Sequence, residues 1–300
     1  MRFKRASAVA ASAVLLGGLA AAACGPATAA TSATTSATAA CTIEVGSITG
    51  AGDIATTAIT ASSPITAKRT TGPHLFAPGA AKIASTWTTT LGVGGEDTTY
   101  GDVILNSTLY SGFFGHDSTG KPTSGLKAQG GGYNGYKAID TSFYGGRTVR
   151  GAQYRLRGDG VLYRYNPDTR ESSRYTGYSA VKTMALISET ATYDTFLATT
   201  NGGALYTIHI PANIKQAPVV KKIRTSTWQG FEYLVAEKCG AQGTLLAAID
   251  KESGSAYLYA VGHANGTATV IKGLGKVPGS FTDLVYYLHT GEGNPPLFGE

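Results

Sequence analysis

The side chains of this 300-residue chain that could carry hydrolytic chemistry are scattered carboxylates: Glu96, Asp97, Asp102, Asp159 and Asp250. Two of them held about 5 to 9 Å apart would cleave a glycosidic bond, one as acid and the other as base or nucleophile. Asp159, however, falls in Gly158-Asp159-Gly160, a turn that favours Asp for backbone reasons. Other reactive signatures are missing. Gly177-Tyr178-Ser179-Ala180-Val181 lacks the second Gly of a nucleophile elbow, and Val270 stands where a P-loop ending in Gly275-Lys276 needs Gly. His74, His116, His209, His263 and His289 form no metal-ligand spacing, and neither do the cysteines. No catalytic residue is assigned on this basis, and no metal or cofactor is expected.

Binding chemistry is better represented. The densest charge run holds Arg147, Arg150, Arg155, Arg157, Arg164, Arg170 and Arg174 against Asp159, Asp168 and Glu171. Arg155 and Arg157 share a strand face, so a cationic strip beside Tyr154 or Tyr163 could hold phosphate- or carboxylate-bearing wall polymers through forked donors. The plainer reading is a solvated sheet face. Over the whole chain the formal charge is +6. Setting aside Arg2, Lys4 and Arg5 leaves 22 Lys and Arg against 19 Asp and Glu, a balance of +3. That small excess argues against a nucleic-acid partner.

The elements that must position these groups are strands. Only 15% of residues are charged, and 40 are Gly, a turn-rich composition. Gln153 to Arg157 runs through Gly158-Asp159-Gly160 into Val161 to Tyr165, and Asp194 to Thr200 runs through Asn201-Gly202-Gly203 into Ala204 to Ile210. Asp-Gly and Asn-Gly between β-type runs predict hairpins, because these residues accept the positive φ of a tight turn. Leu245 to Ile249 and Tyr257 to Val261 make a third, with a longer turn. Alternation places Tyr163 with Tyr165, Tyr206 with Ile208 and Tyr259 with Val261 on faces expected to form core.

The hairpins repeat. Leu-Tyr or Leu-Phe recurs at Leu75, Leu109, Leu162, Leu205, Leu258 and Leu297, with a mean spacing of about 44 residues, within the range of propeller blades. Large side chains at i, i+3 and i+6 keep step with it: Tyr133/Tyr136/Ile139, Tyr178/Val181/Met184, Trp228/Phe231/Leu234 and Pro278/Phe281/Leu284. Such units cannot bury their faces alone and must stack. Two periods in register predict an all-β, five-bladed β-propeller over 70–300, preceded by an N-terminal segment over 41–69. Leu297-Phe298 is expected to complete a sheet begun near Leu75, which would remove exposed edges.

Trp228-Gln229-Gly230-Phe231-Glu232-Tyr233-Leu234, then Gly243-Thr244-Leu245, then Leu258-Tyr259, resembles the W-x-x-F-x-x-L, G-x-L-Y, L-Y repeat of tachylectin-type five-bladed propellers. Those proteins are N-acetylhexosamine-binding lectins with sugar sites between blades; Tyr178 and Pro278 stand where the family shows Trp. The resemblance implies a non-catalytic glycan-binding protein in which Trp228, Gly230 and Phe231 contact the ligand, whereas the i, i+3, i+6 pattern read by itself favours Trp228 as a core residue, since such aromatics more often pack than bind. A propeller-fold glycoside hydrolase using paired carboxylates and a protein-interaction scaffold are the alternatives.

The address is an exported one. Arg2, Lys4 and Arg5 precede an uncharged run from Ala6 to Ala23, the pattern of a signal peptide over 1–23. Ala21-Ala22-Ala23-Cys24-Gly25 would make Cys24 a lipidation site, whereas Ala27-Thr28-Ala29 would give ordinary cleavage and free secretion. Residues 24–40, largely Ala, Thr and Ser, read as a disordered tether. The expected location is therefore secreted or cell-envelope, with a membrane touched only through a lipid anchor and a glycan or cell-wall polymer as partner. Cys41 and Cys239 remain as an even pair, which in an exported chain predicts a disulfide.

Overall fold

A computed structural model describes residues 40–147, 149–291 and 296–300, and contains no helix among them. The chain opens with β1 (Thr42–Ile48), β2 (Asp53–Thr60) and β3 (Thr66–His74). There follow β4 (Ala81–Ala84), β5 (Trp87–Leu91), β6 (Asp97–Leu105), β7 (Thr108–His116) and β8 (Pro122–Gly130). Next come β9 (Tyr136–Gly145), β10 (Val149–Arg157), β11 (Leu162–Tyr165) and β12 (Ser172–Tyr175), then β13 (Val181–Glu189), β14 (Tyr193–Thr200), β15 (Leu205–Pro211) and β16 (Val219–Arg224). The series ends with β17 (Tyr233–Cys239), β18 (Gly243–Asp250), β19 (Ser255–Val261), β20 (Ile271–Lys276) and β21 (Val285–Thr290).

These strands form five four-stranded blades. Strands β9–β12, β13–β16 and β17–β20 are the third, fourth and fifth, each an antiparallel meander. Strands β5–β8 make the second, with β4 paired to β6. The first takes β1, β2 and β3 from the start of the domain and its innermost strand, β21, from the end. The innermost strands touch in a closed ring: β9 against β13, β13 against β17, β17 against β21, β21 against β4 and β5, and β4 against β9. This is a five-bladed β-propeller.

Local chemistry places the turns as the sequence predicts. Gly160 (φ 87°) and Gly203 (φ 82°) take the left-handed conformation in the hairpins joining β10 to β11 and β14 to β15, where Gly avoids the steric cost of a Cβ. In four blades the Leu-Tyr pair lies on the third strand, at Leu109, Leu162, Leu205 and Leu258, and all four Leu side chains are buried. Their Tyr partners are half-buried, together with Tyr165, while Ile208 and Val261 are buried. Each blade is sandwiched between two neighbours, so both faces of its middle strands are covered and the Leu face, not the Tyr face, lies deepest.

Two expectations are corrected here. The propeller begins at β1 rather than near residue 70, so residues 41–69 are part of the first blade. Closure is made by β21, paired antiparallel with β1 from Val45–Leu288 to Ile48–Val285, not by Leu297-Phe298. The reason lies in the second period: Pro278/Phe281/Leu284 leads into an innermost strand, as the other triplets do. Leu75-Phe76 follows β3, and Phe298 bridges Ser188 of β13. The signal peptide expected over 1–23, Cys24 and the tether lie outside the described residues, apart from Ala40.

Five apolar clusters fill the five interfaces between blades. Trp87, Val103, Phe76, Ile48 and Tyr287 join the first and second blades, and Trp87 lies flat enough on β6 and β7 that Gly101 and Gly112 have no room for a Cβ. Tyr154, Leu162, Phe196 and Ile208 join the third and fourth; Leu205, Trp228 and Leu246 the fourth and fifth; Ile43, Leu245, Phe281 and Tyr286 the fifth and first. The smallest, Ile104, Leu109 and Ile139, joins the second and third. Cys41 and Cys239 form a disulfide with Cα atoms 5.6 Å apart, tying the start of β1 to the end of β17. The bridge fits an oxidising, extracytoplasmic compartment, and no helix among the described residues is long and apolar enough to cross a membrane.

Candidate functional site

The five innermost strands enclose a cavity of about 630 Å³ to which every blade contributes. Three carboxylates line it: Asp140 of β9, Glu189 at the end of β13, and Glu232 just before β17. Glu232 is paired with Lys182 at 2.6 Å. Asp140 Oδ1 accepts hydrogen bonds from Thr86 Oγ1 (2.9 Å), Thr86 N (3.3 Å) and Thr141 N (2.9 Å), lashing β9 to the second blade. Burial raises its pKa, and those donors oppose the rise.

Glu189 lies beside the backbone of β9. Its Oε2 accepts a hydrogen bond from Phe143 N at 2.9 Å. Burial pushes its carboxyl up to about 7; the Phe143 amide opposes this, and the charges of Asp194 and Asp140 add to it. Asp194 is locked in a buried pair with Arg150, both its oxygens 2.6 Å from the guanidinium, and also accepts from Ser142 Oγ at 3.0 Å. A group whose folded pKa lies above its unfolded value of 4.5 contributes stability that is full below that value and lost as pH rises through the folded pKa. For Glu189 the loss between about pH 4.5 and 7.5 is about 3 kcal/mol. Glu189→Gln is expected to remove that slope from the unfolding midpoint measured across this pH range; parallel profiles for the two proteins would refute it.

The interface between the second and third blades is filled only in part, and its unfilled end lies beside this cavity. Along β6 and β7 the second blade presents Ile104 and Leu109, then Asp102, then Tyr100 and Phe113 to the third blade. The first pair packs against Ile139. In the middle Asp102 accepts from Ser111 Oγ at 2.6 Å and from Gln153 Nε2. Beyond that no packing covers the aromatics: Tyr100 is 49% exposed, Phe143 on β9 is 64% exposed, and Phe113 and Val149 are also exposed. Tyr100, Phe143 and Tyr144 line the cavity mouth together with Glu189. The arrangement offers flat apolar faces next to a carboxyl that near neutrality both donates and accepts hydrogen bonds.

None of the residues given a binding or catalytic role from the sequence lines this cavity, although Ile139, Met184 and Leu234 of the triplets and Glu232 of the Trp228 motif do. Trp228 is 5% exposed and packed among Phe231 and Tyr259, so its ring has no free face for a ligand. Phe231 is part of the same packing, and Gly230 has only Asp250 Oδ2, at 3.8 Å, near the position of a Cβ. Arg155 is spent on Gln153 Oε1 (2.5 Å) and Tyr133 OH (2.7 Å) and lies over the Tyr133 and Tyr165 rings. Arg157 pairs with Asp159 and lies over Tyr163. Of the other carboxylates, Asp97 accepts from His116 N at 2.7 Å and Asp250 from Ser253 N at 2.9 Å, and Glu96 sits in an exposed turn. They converge nowhere.

Asp140 and Glu189 were legible only by aligning the blades. After the third residue of each triplet come Asp140, Ala185, Val235 and Val285, and four residues further on come Tyr144, Glu189, Cys239 and His289. A charged Asp140 where the other repeats place Ala or Val, and a Glu189 where they place Tyr, Cys and His, are not required by the shared architecture.

No protein-family model matches the chain, and comparison with curated proteins finds no match. Among solved structures the chain is similar to the crystal structure of the alpha-L-arabinofuranosidase PaAbf62A from Podospora anserina in complex with cellotriose, at a TM-score of 0.42 and 13% identity. The match covers 72% of this chain and 75% of that one.

Proposed function

We propose that this protein is an exported, non-catalytic carbohydrate-binding propeller that seats a glycan at the mouth of its central cavity. The observation that carries the reading is the cluster of exposed rings, Tyr100 and Phe143, beside the raised-pKa carboxyl of Glu189. Sugar rings offer an apolar C–H face for stacking and hydroxyls for hydrogen bonding, and a concave apolar site with a few convergent polar groups is suited to both. The resemblance to tachylectin-type lectins points to the same class of ligand. The site differs from the one that resemblance implies, because the interface around Trp228 is filled.

Binding is favoured over cleavage because two-carboxyl hydrolysis needs one group ionised opposite the acid. Opposite Glu189 the described residues of the cavity offer only Asp140, engaged by Thr86 and Thr141, and Glu232, paired with Lys182, so neither is free to serve as base or nucleophile. The test is a glycan-array screen followed by titration of the best ligand. Phe143→Ala is expected to weaken binding about tenfold, a loss of roughly 1.4 kcal/mol, with an unchanged unfolding midpoint. Unchanged affinity in that variant would overturn the site. Release of reducing ends from the bound glycan, abolished by Glu189→Gln, would favour the hydrolase instead.

A further inference from the structure

A second, smaller pocket of about 110 Å³ opens between the third and fourth blades, lined by Arg150, Arg164, Asn166, Glu171, Ala212 and Ile214. Arg164 is its unusual member. It is 4% exposed, and its Nη1 donates to Ala212 O at 2.8 Å. Its Nε is buried without a hydrogen-bond partner. Among the described residues no carboxylate forms an ion pair with it, whereas the neighbouring Arg150 is fully engaged by Asp194, Thr190 O and Tyr193 O. A guanidinium stays protonated at any pH a protein survives, so Arg164 leaves at the pocket wall a buried positive charge that no carboxylate of the described residues approaches within ion-pair distance.

The blade repeat makes this charge a departure from the architecture. In the Leu-Tyr-X sequence of the third strand, X is Ser111, Thr207 and Ala260 in the second, fourth and fifth blades, and Arg164 in the third. A small residue therefore satisfies the fold at this position. Asn166 adds a second donor: its Oδ1 accepts from Asp168 N (2.9 Å) and Thr169 N (3.1 Å), which leaves its amide NH₂ for a ligand. Buried charges persist when they are paired and hydrogen-bonded, and forked guanidinium donors match the planar edges of oxyanions.

We propose that this pocket binds a small oxyanion, phosphate or sulfate, with Arg164 as the charge partner and Asn166 as a hydrogen-bond donor. Its volume, a few times the roughly 30 Å³ share of one liquid water, accommodates one such group, either free or as the head of a larger molecule. Glu171 stands exposed at the rim and repels it. The inference is independent of glycan binding at the central cavity.

Titration of the full chain with inorganic phosphate, at constant ionic strength set with sodium chloride, is expected to show saturable binding. Arg164→Met keeps the side-chain length and relieves the buried charge, so it folds, and it is expected to weaken phosphate binding at least tenfold. Glu171→Gln is expected to tighten binding several-fold. Running glycerol phosphate in parallel separates the two sources: equal affinity indicates that the ester head alone is held, and failure of the ester indicates a site for the free ion. A crystal soaked in selenate should show anomalous density beside Arg164. Absence of saturable phosphate binding by the wild-type chain, or equal affinity in Arg164→Met, would overturn the proposal.

Discussion

Removing the Cys41–Cys239 disulfide, by Cys41→Ser with Cys239→Ser, is expected to cost about 5 kcal/mol. The bridge spans 198 residues, and in the chain-entropy treatment a closed loop of that size restrains the unfolded state by about that amount. Its position matters as much as its span. The ring closes where β21 pairs with β1 over four residue pairs, and this pairing joins the two ends of the folded domain. Cys41 precedes β1, and Cys239 ends β17, the innermost strand of the adjacent blade. The covalent tie therefore holds the first blade against the fifth even when the β1–β21 pairing opens. For a domain of this size each 1 kcal/mol moves the midpoint by about 2 to 4 °C, so calorimetry should show a drop of about 10 to 20 °C. A drop of less than about 2 °C would mean that apolar packing among Ile43, Leu245 and Tyr286 closes the ring unaided.

The fold was legible because a propeller repeats its local chemistry. Hairpin glycines, the Leu of the third strand and the triplet before the innermost strand recur in step in most blades, and in those blades they sit where the periods place them. Closure was not legible for the same reason. The first blade is assembled from both ends of the domain, so its strands never occur in sequence as a unit, and its third strand, β2, begins Asp53-Ile54-Ala55 with no Leu-Tyr pair. Leu75-Phe76 and Leu297-Phe298 matched the dipeptide without occupying its structural place.

The candidate site was harder to read, for a physical reason. Every innermost strand contributes to the central cavity, so the groups that converge there are far apart in sequence: Asp140 and Phe143 come from β9, Glu189 from the end of β13 and Tyr100 from β6. Pattern searches favour residues clustered along the chain, and these led to Arg155 and Arg157, which the fold consumes in stacking and internal hydrogen bonds. Within the same arginine run the two that the fold buries, Arg150 and Arg164, lie on the opposite face of the sheet. The difference between faces follows from strand alternation; which of them meets the next blade requires the ring.

Trp228→Ala is expected to cost about 3 to 5 kcal/mol while leaving glycan affinity of the folded protein unchanged. The indole is 5% exposed, with its ring centroid 5.0 Å from Tyr259 and 5.6 Å from Phe231. It shares a cluster with Leu205 and Ile223 of the fourth blade and Leu246 of the fifth. Its backbone N donates to Gly203 O at 3.0 Å, so the residue fastens the fourth blade's hairpin to the approach of β17. Truncation leaves a cavity spanning two blades, which cannot collapse without moving one of them, and the cost belongs at the upper part of that range for this reason. The midpoint should fall by about 6 to 20 °C. Phe143→Ala gives the reciprocal result, affinity lost and midpoint kept, because its ring is exposed and packs against little. An unchanged midpoint with binding abolished in Trp228→Ala would return that residue to a ligand contact and move the glycan from the central cavity to the interface between the fourth and fifth blades.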